Sequence, residues 1–149
     1  MKTLTVFTPS YNRAHTLPRT YHSLCIQTCQ DFEWLVIDDG STDNTQQLVE
    51  TWIKENKIPI RYIYKENGGL FTGYNTAYAN IHTELNVCID SDDYMPENAI
   101  ELIINLWKEK GDKKYGGIIG LDFNIKTHEP IGGFFPEKLH ITPDFEEQR

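Results

Sequence analysis

The chain has 149 residues and a mass of 17.3 kDa, enough for one hydrophobic core that needs neither disulfides nor a structural metal. Its 14 Lys+Arg against 22 Asp+Glu give a formal charge of −8 and a pI near 5.0, which repels phosphate backbones and excludes nucleic acid as the expected partner. With 24% charged and 12% aromatic residues it is no disordered chain, and it has no apolar run approaching the roughly 18 residues of a membrane span.

The start, MKTLTVF, enters a strand pattern rather than a signal peptide. Leu4 to Thr8 reads as a first strand ended by Pro9, and Leu17, Tyr21, Leu24 and Cys25 then share one helical face. Phe32 to Ile37 is a second strand, and its continuous Trp34-Leu35-Val36-Ile37 predicts burial on both sides. Asp43 with Gln46 three residues on resembles a capping box, opening a helix with Leu48, Val49, Trp52 and Ile53. Pro59 opens a third strand through Tyr64. Gly68-Gly69 leads into a helix carrying Tyr74, Ala77, Tyr78 and Ile81. Leu85 to Ile89 is the fourth strand. Pro96 suits the first turn of a helix with Ile100, Ile103, Ile104 and Trp107, stopped by Gly111. Tyr115 to Phe123 predicts a fifth strand.

This alternation predicts an α/β fold, a mainly parallel sheet with helices on both faces. The pattern divides the chain into residues 1–123 and a weaker, Pro- and Gly-rich segment, 124–149, whose Asp144, Glu146 and Glu147 read as a solvated tail. Cys25, Cys29 and Cys88 are odd in number, and His15, His22, His82, His128 and His140 supply no paired zinc spacing. Reduced thiols in a cytoplasmic protein are expected.

Open parallel sheets bind ligands at the carboxyl ends of their strands. Four polar loops fall there: Thr8 to Arg13, Asp38-Asp39-Gly40-Ser41, Glu66-Asn67-Gly68-Gly69 and Asp90-Ser91-Asp92-Asp93. Asp90 and Asp92 are two apart, so an extended backbone would aim both carboxylates one way, as Mg²⁺ or Mn²⁺ ligation requires; a helix cap explains the same acids. Asp38-Asp39 reads either as a turn or as an acceptor for a base N–H or a ribose hydroxyl. Tyr11 offers an aromatic face, and Gly68-Gly69 a backbone approach to phosphate. Neither G-x-G-x-x-G after the first strand nor a P-loop is present. A receiver-type signalling domain is set aside, because Pro9-Ser10, Glu66-Asn67 and Asp122 stand where it needs acids and a lysine.

Thr5 to Arg13, Val36 to Asp43 and Ile89 to Asp93, with Ser23-Leu24, Gln27-Thr28 and Asp31-Phe32-Glu33 between them, resemble family 2 glycosyltransferases of the GT-A fold. The resemblance runs from about Leu4 to Leu121. It implies an inverting transferase using a nucleoside-diphosphate sugar, with a UDP-sugar favoured and a glycan or lipid-linked acceptor. Thr8, Pro9 and Tyr11 would line the base pocket, Asp39 would bond the base, and Asn67 and Gly68 would face the donor. Asp90 and Asp92 would form the D-x-D element, with Asp92 foremost in holding Mn²⁺ or Mg²⁺. Leu70-Phe71 and Gly73-Tyr74 stand where relatives often carry Lys-His or Ala-Arg pairs. The family's carboxylate base has no counterpart before Arg149, Asp122 being a strand-end polar residue, so the chain is expected to be the donor half of a longer domain. A non-catalytic nucleotide-sugar-binding or interaction fragment is the alternative. Family members build envelope glycans at the cytoplasmic face of the membrane, which implies a cytoplasmic location with peripheral membrane association.

Overall fold

A computed structural model describes residues 2–112, 116–118, 120, 122–124 and 126–131. The element order is β1 (Leu4–Ser10), α1 (Leu17–Cys25), β2 (Phe32–Asp38), α2 (Thr45–Glu55), β3 (Ile60–Tyr64), α3 (Leu70–Asn80), β4 (Leu85–Cys88) and α4 (Ala99–Lys110). The strands form one parallel sheet of order β3-β2-β1-β4, so every strand ends at the same edge. Its order reverses between β1 and β4, where such sheets open a crevice.

Strand alternation sorts the core. Leu4 and Val6 of β1 and Phe32, Trp34 and Val36 of β2 pack with Leu17, Tyr21 and Leu24 of α1, Val49 and Trp52 of α2, and Ile100 and Ile104 of α4. Phe7, Leu35 and Ile37 point the other way, onto Ala77 of α3. Helices therefore cover both faces. On the first face the rings of Tyr21 and Trp52 stack at 4.3 Å, with Trp34 5.9 Å from Trp52. Each such buried ring removes enough apolar surface to contribute about 1.5–3 kcal/mol.

Three sequence expectations change. Pro9 does not end β1, which runs to Ser10. Thr3 and Phe7 accept bonds from the β4 side, at Leu85 and Ile89, whereas Ser10 accepts from Asp39 on the β2 side. The missing Pro9 N–H thus falls on the β4 side, where the ladder ends with the bond from Ile89 N–H to Phe7 O, and the β2 side stays paired through Ser10↔Asp38. Asp43 does not close a box with Gln46. It accepts the Thr45 N–H at 3.0 Å and the Ala14 N–H at 3.1 Å, tying the start of α2 to the loop after β1. The fifth strand predicted over 115–123 is absent at 116–118, 120 and 122, and Phe123 makes only an isolated antiparallel bridge to Pro130. Gly116, Gly117 and Gly120 leave that stretch few side chains to pack. Residues 115, 119 and 121 of that strand, and His140, Asp144, Glu146 and Glu147, lie outside the described residues.

By internal contacts the chain divides into units Met1–Ile104 and Asn105–Arg149. The sheet and all four polar loops belong to the first. The second contains the last turns of α4, ended at Gly111, and a turn in which His128 donates to Asn124 O at 2.8 Å.

Candidate functional site

The carboxyl edge is built by loops clasping one another. Asn12 adopts a left-handed φ of 54°, which Asn tolerates better than most side chains. Its N–H donates to Ser41 Oγ at 2.8 Å, and its Oδ1 accepts the Thr42 N–H at 2.8 Å. Asp38 is buried at the end of β2; Oδ1 takes the Ser41 N–H at 2.8 Å and Oδ2 takes the Tyr62 hydroxyl at 2.5 Å. Burial, then the Asp38 carboxylate beside it, pushes the Tyr62 phenol far above its ordinary range. The first acid of the Asp38-Asp39 pair is thus spent on the turn. Ser10, its register partner, is buried, and its hydroxyl has no hydrogen-bond partner among the described residues.

Asp39 reaches across to the third loop. Its Oδ1 accepts the Gly68 N–H at 3.0 Å and the Lys65 ammonium, and Thr72 Oγ1 lies 3.3 Å away. Its Oδ2 accepts the Gly69 N–H at 2.8 Å. Asn67 Nδ2 donates in turn to the Asp39 carbonyl at 2.8 Å. The three ammonium hydrogens of Lys65 are used on Asp39, on Glu66 O at 2.5 Å and on Thr72 Oγ1 at 2.8 Å. Burial by itself would raise the Asp39 carboxyl, but Lys65 and the two N–H groups outweigh it and hold the group below its ordinary range. Asp43 is likewise held low by the Thr45 hydroxyl and by the Ala14 and Thr45 N–H groups, against a burial effect of opposite sign.

The residues expected to line a base pocket divide. Thr8 is wholly buried, and its hydroxyl accepts the Trp34 indole N–H at 2.9 Å. Alternation from Leu4 and Val6 turns it into the core, so it supports the edge from behind. Pro9 is buried against α3, where a Cβ on Gly73 would lie 3.4 Å from Pro9 Cβ. Tyr11 is 48% exposed and presents its ring at the edge. Phe71, in the first turn of α3, is 85% exposed.

Asp90 and Asp92 are both exposed at the end of β4. They do not lie on extended backbone: Asp93 N–H donates to Asp90 O at 3.0 Å, making 90–93 a turn, so two-residue alternation does not set their directions. Thr20 Oγ1 donates to Asp93 O at 2.7 Å, and Met95 N–H to Ser23 Oγ at 3.2 Å, fastening this turn to α1. Gln27 adds a second fastening, bonding Pro96 O and the Ile100 N–H at the start of α4. Asp90 also acts on its neighbours. The Cys88 thiol is pushed up to about 11, first by burial and further by Asp90. No group of three or more His, Cys, Asp or Glu side chains among the described residues forms a ready metal cage. Two exposed carboxylates are the donor set of a hard cation that completes its shell with water and ligand oxygens, so the residues fit Mg²⁺ or Mn²⁺ only in company with a phosphate ligand.

A four-stranded parallel sheet switching order at β1/β4, with its polar loops gathered on the carboxyl edge, defines a doubly wound, Rossmann-like domain of the GT-A type. The chain belongs to glycosyl transferase family 2, which it matches over residues 5–141. It is 33% identical over 101 residues to the chondroitin synthase of Pasteurella multocida, covering 68% of this chain and 10% of that protein. It superposes on Staphylococcus aureus TarS 1–349 in complex with UDP-GlcNAc with a TM-score of 0.68 and 31% identity, over 73% of this chain and 32% of that one. It superposes on the mannosyltransferase PcManGT of Pyrobaculum calidifontis, in complex with GDP-Man and Mn²⁺, with a TM-score of 0.66 and 26% identity, over 76% and 34%. The chain spans 10% to 17% of the first curated relatives it matches.

Lys65 escapes a reading by motif. The available signal was a cation just after a strand end, two residues from the Asn67-Gly68 pair and beside the acidic Glu66.

Proposed function

We propose that the protein is a glycosyltransferase that moves a sugar from a nucleoside-diphosphate donor, a UDP-sugar first, to a hydroxyl of a glycan or lipid-linked acceptor, with inversion. One observation carries this reading: the Asp39 carboxylate, buried and ionised, joins the loops after β2 and β3 at the edge where the exposed Tyr11 and the Asp90–Asp93 turn also end. The ligands of the two structural neighbours, UDP-GlcNAc and GDP-Man with Mn²⁺, support the donor class. Tyr11 stacks on the base, Asp39 accepts from it, and Asn67 and Gly68 shape the wall beside it. Asp92, with Asp90, would hold Mg²⁺ or Mn²⁺, which supplies the positive charge that steadies a departing diphosphate. Work on envelope polysaccharide at the cytoplasmic face of the membrane belongs to this reading, and the similarity to a chondroitin synthase and to a poly(ribitol-phosphate) N-acetylglucosaminyltransferase supports the polysaccharide part. Among the described residues no helix is long and apolar enough to cross a membrane.

The test is thermal stability with UDP, GDP, ADP, CDP and TDP, each with Mn²⁺ and then with excess EDTA. A ligand at a hundred times its Kd adds about 2.7 kcal/mol of stability. One diphosphate should raise the midpoint, EDTA should abolish the shift, and Asp92→Ala should behave as wild type in EDTA. Equal indifference to all five diphosphates would refute the reading.

A further inference from the structure

Resting on the reading that Asp39 faces the base, we infer that Lys65 is a positioning residue that selects the base: by occupying Oδ1 of Asp39 it leaves Oδ2 to accept a ring N–H. A carboxylate oxygen accepts about two hydrogen bonds. Oδ1 already receives Gly68 N–H and Lys65, with Thr72 close by, whereas Oδ2 receives Gly69 N–H alone. The two oxygens differ because Lys65, bonded also to Glu66 O and Thr72 Oγ1, is held on the Oδ1 side.

An ionised carboxylate only accepts. Uracil and guanine present a ring N–H on the edge that pairs, whereas cytosine and adenine present a ring nitrogen lone pair at the matching position. The asymmetric, ionised Asp39 therefore favours the first two and repels the others. Lys65 is the charged group that faces Asp39. From α3 comes the Thr72 hydroxyl, from the loop before it the Gly68 and Gly69 N–H groups, from β1 the Ser10 carbonyl accepting the Asp39 N–H at 2.8 Å, and Asp38 is turned to Tyr62 and Ser41. With the ammonium removed, burial acts on Asp39 without its main opponent, so the carboxyl rises and loses acceptor capacity on mild acidification.

The experiment is calorimetric titration of the full chain with UDP and with CDP, in Mn²⁺, between pH 5 and 8, for wild type, Lys65→Met and Lys65→Arg. Wild type should bind UDP over CDP by a ratio that is flat across this range, the titration of the shared diphosphate cancelling between the two. Lys65→Met should bind UDP about tenfold more weakly at pH 7, weaken further towards pH 5, and lose most of its preference over CDP. Lys65→Arg, which keeps the charge, should recover the flat profile. If Lys65→Met lacks wild-type tryptophan emission, Lys65→Gln replaces it under the same criteria, since it retains a donor for Glu66 O and Thr72. A folded uncharged variant with wild-type UDP affinity, pH profile and UDP-to-CDP ratio overturns the role of Lys65 and leaves the donor reading standing. A wild-type chain that binds neither nucleotide overturns both.

Discussion

Gly40 and Gly69 share a φ of about +80°, at 83° and 84°, in different surroundings, and this makes them a matched pair for testing how the edge is assembled. A Cβ on Gly40 would stand 2.7 Å from Asn67 N, 3.0 Å from Asn67 Cβ and 3.2 Å from Asn67 Cα. The nearest obstacle is backbone, which cannot rotate aside. A Cβ on Gly69 meets nothing within 4 Å, although its φ of 84° and ψ of 169° lie in a region essentially confined to glycine. Gly69→Ala should therefore cost the conformational part alone, about 1–3 kcal/mol. Gly40→Ala should cost strain at its own positive φ and a further steric part of about 1–3 kcal/mol as Asn67 is displaced. For a chain of this size each kcal/mol lowers Tm by about 2–4 °C. Urea unfolding at pH 7, followed by the emission of the buried Trp34 and Trp52, measures both variants against wild type. Equal losses for the two alanines would show that the 38–41 loop does not press on Asn67, and the clasped edge would be wrong.

Three further outcomes are expected. Thr8→Val should cost about 1–3 kcal/mol in the same urea assay, because it strands the buried Trp34 N–H while conserving volume; a neutral result would mean that the indole has another partner. Acidification has a determined sign. Asp39 and Asp43 are held low in the folded chain, so their contribution is full above the unfolded carboxyl value of about 3.9 and is lost as pH falls through their folded values. The Tm of wild type should fall below about pH 4 more steeply than that of Asp39→Asn or Asp43→Asn, and parallel profiles would contradict this. Asn12→Ala should destabilise more than Asn12→Gly in the urea assay, since both lose the bonds to the 42–43 backbone while alanine adds strain at a φ of 54°.

The elements were legible because their signals are local. Leu17, Tyr21 and Leu24 at helical spacing, and the unbroken Trp34 to Ile37, are consequences of periods of 3.6 and 2 that any window of the chain displays. Pro9 misled because its missing N–H faces only β4, whose pairing ends there, while the β2 side of the strand continues to Ser10. The fifth strand misled because Ile118 and Phe123 keep a strand's composition while Gly116, Gly117 and Gly120 remove its packing.

The polar loops were also legible as a set, since consecutive strands joined through helices run parallel and must end at one edge. Which atoms meet there is another matter. The bonds from Gly69 to Asp39 and from Trp34 to Thr8 link residues 30 and 26 apart, and the sheet order that brings them together is a property of the whole sheet. The α/β alternation, the family and the residues available at the carboxyl edge can all be read along the chain. That Thr8 supports from within, that Asp38 serves the turn and that Lys65 commits one oxygen of Asp39 emerge only once the sheet is assembled. Hydrogen-bond partners are assigned by distance in space, and spacing along the chain carries no record of them.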